Sequence, residues 1–160
     1  MSVSRSIEVK LFTNFVKPSD LLKELVDDVL SLKDENDIIQ SYSIDDIEEF
    51  EFIPFESEES LFETLDAREN RNLSNYILLY NSDISEMIHL HIENLNDKND
   101  GFGKGYSLTF SPLVGKRLEC ADRLTDYGYY LNMLVPRILR SNSKIKEIIC
   151  EDYDWKPSQH

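Results

Sequence analysis

Apolar and polar residues alternate near the start of the chain. Ile7, Val9 and Leu11 are separated by Glu8 and Lys10, the period of a strand with one buried face. Pro18 and Ser19 then supply a helix start. Leu21, Leu22, Leu25, Val26, Val29 and Leu30 follow at helical spacing, opposite Lys23, Glu24, Asp27 and Asp28. Residues 34–37 form a polar break. A strand is expected over 38–44 and another over 49–52, where Phe50 and Phe52 alternate with Glu49 and Glu51. Pro54 cannot donate to a ladder, so this second strand is an edge strand or ends there, and Phe55 is free to turn outward. Ser57 or Ser60 caps the next helix, Ser60 with Glu63 as a capping box, and Leu61, Phe62 and Leu65 form its buried stripe.

Residues 76–80 are a short apolar run of the kind found in central strands, and 86–95 alternates again. After the loop NDKNDGFGKG a further strand is expected over 106–110. Leu118, Ala121, Leu124, Tyr127, Leu131, Leu134 and Ile138 keep a helical period through 116–140. Gly128 weakens that helix, and Pro136 predicts a kink or break over 132–135. Residues 144–150 read as a last strand and 151–160 as an irregular C-terminal tail. With no repeat or dividing linker, 1–160 is expected to be a single globular domain burying about two thirds of its unfolded surface. The element order predicts an α+β fold: a mixed, largely antiparallel sheet with about three helices packed mainly on one face.

Charge changes the picture. The chain carries 17 Lys and Arg against 31 Asp and Glu, a net charge of −14. Residues 34–67 hold 13 of those acids and no Lys or Arg, while the other 126 residues are nearly balanced at 18 acids and 17 bases. An acidic block of this kind argues against binding nucleic acid, which needs cations to displace phosphate counterions, and against docking on an anionic membrane. It favours a basic partner, or else simply keeps the protein soluble as a solvated acidic edge. No apolar run is long enough for a signal peptide or a membrane span, and Cys120 and Cys150 have no metal-ligand spacing, so a cytoplasmic protein with reduced thiols is expected.

Catalytic signatures are weak. His89, His91 and Glu93 would share one face of a strand, a spacing that could ligate a metal. With His160 the only other histidine, the solvent face of a strand backed by Ile88, Leu90 and Ile92 is the simpler expectation, and no cofactor is expected. Gly101, Gly103 and Gly105 surround Lys104 but precede a strand, not the helix that a phosphate loop needs. Neither cysteine has a histidine nearby in sequence, and Cys120 is expected inside the 116–140 helix, facing the core or packing beside Leu124. Tyr127 and Tyr130 are expected to line the core, with Tyr129 pointing outward. An enzyme is not expected.

The stretch SIDDIEEFEFIPFESEES, the small size and the lack of enzyme signatures together resemble the immunity proteins encoded beside bacterial polymorphic and contact-dependent growth-inhibition toxins. Those proteins are small, acidic, cytoplasmic and often α+β. The resemblance implies one tight complex with a cognate toxin domain, commonly a basic nuclease, whose active site or substrate groove is covered. No motif carries it, so no functional residue is transferred. The partner-binding surface expected from the residues themselves comprises Asp45, Asp46, Glu48, Glu49, Glu51, Phe55, Glu56, Glu58 and Glu59, with Tyr42 and Phe62 as further apolar anchors. An acidic phage-type DNA mimic shares the same signature and is the alternative, as is a small enzyme without a recognisable motif.

Overall fold

The computed structural model describes the backbone of residues 3–15, 17–43, 51–99 and 103–154, and within these the side chains of 5–15, 17–39, 54–95, 103–121 and 124–152. Strand β1 (Val3–Thr13) is the alternating segment that opens the chain. Four strands follow before the central meander is reached: β2 (Leu30–Ser31), β3 (Ile39–Ser43), β4 (Glu51–Phe55) and β5 (Asn75–Asn81). Then come β6 (Glu86–Asn99), β7 (Gly103–Pro112), the short β8 (Arg117–Leu118) and β9 (Ala121–Thr125), and finally β10 (Lys144–Asp154). The main sheet runs β10-β1-β7-β6-β5-β3-β4, with β2 beside β5, and β8 and β9 form a separate hairpin. Each of the described pairings is antiparallel.

The register explains why one face of this sheet is apolar. Ile7 lies opposite Phe110, Phe110 opposite Leu90 and Leu90 opposite Ile77, so one row crosses four strands; Val9, Leu108 and Ile92 form the next. All seven are buried. Helices α1 (Pro18–Leu25), α2 (Glu58–Asn70) and α3 (Tyr127–Leu139) supply the cover through residues such as Leu22, Leu25, Leu61, Leu65, Leu134 and Ile138. Each such side chain contributes about 1.5–3 kcal/mol on burial. The chain is therefore a single α+β domain with its helices on one face of an antiparallel sheet.

Several boundaries differ from the periodic reading. The first helix ends at Leu25 and does not reach Leu30, because the Asp27 carboxylate accepts the backbone N–H groups of Val29 (2.9 Å) and Leu30 (3.0 Å). That local turn outcompetes another helical turn and delivers Leu30 to β2. The 116–140 helix is confined to α3: residues 117–125 form the β8–β9 hairpin, whose Leu118 and Leu124 are exposed, so their helical spacing buries nothing. Cys120 consequently does not face a core. It sits exposed near the hairpin tip in the left-handed region, at φ 69°. Pro136 lies within α3. For Pro54 the edge-strand alternative holds: it pairs with Gln40 inside β4, which lies at the edge of the described sheet and continues to Phe55. The supposed tail is strand as far as Asp154, which lies opposite Val3.

One buried carboxylate fastens the loop after β7. Glu86 is 3% exposed, accepts the Tyr130 hydroxyl at 2.6 Å, and takes the N–H groups of Gly115 (2.6 Å) and Val114 (3.2 Å). Tyr130 in turn accepts the Lys116 N–H at 2.7 Å, tying α3 to the same loop. Glu86→Ala would strand these donors in the interior, so urea unfolding should show a loss of about 3 kcal/mol. Tyr130→Phe, which spares the loop amides bound to Glu86, should cost clearly less. Equal losses in the two variants would show that the carboxylate is not the fastening group.

Candidate functional site

The described part of the acidic block includes the β4 edge of the sheet and the start of α2. Ser57 makes that helix start: its hydroxyl accepts the Ser60 N–H at 3.1 Å, so Ser57 is the cap and Ser60 is not. Glu58 and Glu59 then fall in the first turn, where the unpaired backbone N–H groups and the helix dipole favour negative charge. Both are exposed, as is Glu56. Phe55 does not turn outward. It pairs with the buried Ile39 across the ladder and packs, half-buried, against the core. Phe62, half-buried in α2, does the same, with the Lys23 ammonium 5.0 Å from its ring centre.

These residues surround an open hollow of about 400 Å³, lined by Lys33, Asp37, Ile39, Phe55, Glu56, Ser57, Glu58 and Glu59. Four of the lining side chains are carboxylates and one is an ammonium, Lys33, whose ion pair is with Asp37 at 3.7 Å. Among the described residues no ion pair holds Glu56, Glu58 or Glu59. Asp37 and Lys33 were not expected at this surface. Neither is near Glu58 in sequence; the β3–β4 pairing brings them there. Of the other expected surface residues, Asp45, Asp46, Glu48 and Glu49 lie outside the described residues, as does Phe50. Glu51 is placed by its backbone only, opposite Ser43, and Tyr42 opposite Phe52.

The remaining candidates sort differently. Ile88, Leu90 and Ile92 are buried on the helix side, so His89, His91 and Glu93 occupy the face that no helix covers. His91 stacks on Tyr76, ring centres 4.2 Å apart and planes 12° from parallel. Burial lowers the pKa of both histidines; for His91 this outweighs the opposing pull of Glu93 and Glu8. Among the described residues no three His, Cys, Asp or Glu side chains are placed to hold a metal ion. Gly103 adopts φ +83°, and a Cβ there would lie 2.2 Å from the Thr13 carbonyl oxygen, so this glycine serves backbone packing. Cys120 and Cys150 are unpaired. Tyr130 is fully buried as expected, but Tyr129 is half-buried, its hydroxyl donating to Asp83 (2.6 Å) and accepting from Asn81 (3.0 Å). No helix among the described residues is long and apolar enough to cross a membrane.

The histidine shifts carry a sign. With folded pKa values below the ordinary 6.5, the unfolded chain binds protons that the folded one refuses. Stability unaffected by these groups above about pH 7 should therefore fall as pH drops through 6.5 toward the folded values. His91→Gln should flatten that part of the stability profile measured by denaturant titration between pH 7.5 and 5.5; an unchanged slope would contradict the shift. As for likeness to known proteins, no protein-family model matches the chain, and no curated protein or solved structure matches it either.

Proposed function

We propose that the chain is an immunity-type inhibitor, which binds a basic protein domain through its acidic edge and blocks that domain without chemistry of its own. The observation that supports this is the hollow between β3 and the start of α2. Four carboxylates and a half-buried phenylalanine meet there around one lysine already paired to Asp37. Carboxylates on a fixed helix start and a sheet edge attract arginine and lysine over about a Debye length, roughly 8 Å at physiological salt. The half-buried Phe55 adds apolar surface to the lining of the hollow, which charge alone does not supply. A nuclease domain, basic because it holds phosphates, is the partner class that this surface fits. Covering its substrate groove is sufficient for inhibition.

The decisive experiment is to identify the genes adjacent to this one and co-express the chain with any basic toxin domain they encode, scored by growth and by purified-complex kinetics. The native chain should rescue growth. Glu56→Lys combined with Glu58→Lys and Glu59→Lys should abolish rescue and slow association by about tenfold or more at low salt, with the native rate itself falling as salt rises. Because reversal at 58 and 59 also opposes the helix dipole, the neutral set Glu56→Gln, Glu58→Gln and Glu59→Gln serves as the folding control and should fall between the two. Full neutralisation by the reversed variant, verified as folded, would show that this edge is not the interface. Competition by duplex DNA for the same target would instead mark a DNA mimic.

A further inference from the structure

A second hollow, of about 390 Å³, opens at the other end of α2, against the uncovered side of β6. Its wall includes Glu69, Asn72 and Leu73 from the helix end and the turn after it, and His91, Glu93 and Asn94 from β6. Leu73 is the one apolar side chain in that lining, which makes the hollow unsuited to an apolar ligand. Anions are disfavoured for two reasons. Both charged lining groups are carboxylates, and the carboxyl-terminal end of a helix carries partial negative charge from its last carbonyls, offset in part by Arg68 of the same turn, whose guanidinium donates to the Ser74 carbonyl. Glu69 is tied to Lys104 at 2.8 Å, so its charge is largely answered. Glu93 is exposed and, among the described residues, has no ion-pair partner.

His91 adds a planar, neutral wall. Stacking on Tyr76 holds the ring, burial keeps it uncharged near neutral pH, and its Nε2 is buried without a hydrogen-bond partner. With no accessible surface of its own, that nitrogen offers nothing to a ligand in the hollow, so the ring contributes its plane and not a hydrogen bond. Carboxylate, amide oxygens and a helix end all accept hydrogen bonds. The matching ligand is a cation with several donors in one plane. A guanidinium fits this better than an ammonium, because its fork can reach a carboxylate and an amide together.

We propose that the hollow between the end of α2 and strand β6 is a guanidinium-binding site, with Glu93 as its charged acceptor and His91 as its wall. It does not depend on the acidic edge, which lies at the opposite end of α2. The test is a titration of the full chain with ethylguanidinium chloride, followed by the His91 imidazole and side-chain amide signals in NMR spectra, against sodium chloride at equal ionic strength. A saturable shift with ethylguanidinium, absent with sodium chloride and weakened about tenfold by Glu93→Gln, is the expected result. Glu93 is exposed, so Glu93→Gln should keep the native unfolding midpoint. Asn94→Ala is a second variant that should also weaken binding. A shift that never saturates, that sodium chloride reproduces, or that both variants leave unchanged would overturn the proposal. A capped Gly-Arg-Gly peptide forms the other arm: tighter binding than ethylguanidinium assigns the site to an arginine of a protein, and equal binding to free guanidino compounds.

Discussion

Covering only one face of a broad antiparallel sheet forces each alternating strand to divide its residues between an apolar core and a polar surface, and that constraint organises the molecule. The division is legible along β6, where Ile88, Leu90 and Ile92 are buried while His89, His91 and Glu93 occupy the other side. The same parity runs across the ladder: His91 lies opposite Thr109, and Thr109 opposite Glu8. A shift of one residue in any central pairing would exchange these sets, burying carboxylates and exposing isoleucines, so the register is strongly selected. All three helices are committed to the apolar side by their leucines, which leaves the other face for polar chemistry. Glu86 and Arg5 are charged exceptions on the helix side, the carboxylate tolerated because three donors meet it and the guanidinium because it donates to the Pro112 and Leu113 carbonyls.

The distribution of charge follows from the ends of this sheet. Among the described residues β4 has no partner beyond β3, and the unpaired acids Glu56, Glu58 and Glu59 that follow it discourage another chain from adding to that edge. That benefit needs charge but not charge of one sign. The chain nevertheless returns few bases to the region: Lys33 reaches the hollow, and Lys23 lies over Phe62. Elsewhere the fold pairs acids more thoroughly. Asp27 receives Arg137 at 2.9 Å and Arg140 at 3.1 Å, and although burial opposes its ionisation, the backbone N–H groups and these two guanidinium groups hold its pKa well below the ordinary value. A carboxylate held down in this way adds stability above the ordinary carboxylate pKa and loses it as pH falls below. The contrast between Asp27 and Glu56 separates an acid used to hold the fold from acids left facing solvent.

Much of the architecture could be read along the chain, because strands β1, β5, β6 and β7 are strongly patterned over lengths that tertiary context did not override, and helix α2 is announced by its capping serine and acidic first turn. The misreadings have identifiable causes. Asp27 is compatible with a helical face and also with an Asx turn, and only the partner strand for Leu30 decides between them. Leu118, Ala121 and Leu124 match a helical period by coincidence, since the exposed positions of Leu118 and Leu124 show that no buried stripe exists. Of the candidate surface, the run of acids was visible at once. That it includes Lys33 and Asp37 was not, because their approach to Glu58 depends on how β3 and β4 pair. The hollow beside His91 was invisible for the same reason: Glu69 and Glu93 belong to different elements, and no spacing in the chain joins them.

Helix α2 runs between the two hollows without coupling their charges. Its 13 residues span about 20 Å, more than two Debye lengths at physiological salt, so charges at its ends are largely screened from one another. The helix dipole does not treat them alike. At the Ser57 end it offsets Glu58 and Glu59, which makes that acidic surface weaker than its count of carboxylates implies. At the Asn70 end it adds negative potential to a hollow where Glu69 is already answered by Lys104. Counting charges therefore favours the first hollow for a cation, whereas the dipole favours the second. The first suits a broad basic surface that gains from many weak attractions, and the second suits a single donor-rich group that can be enclosed.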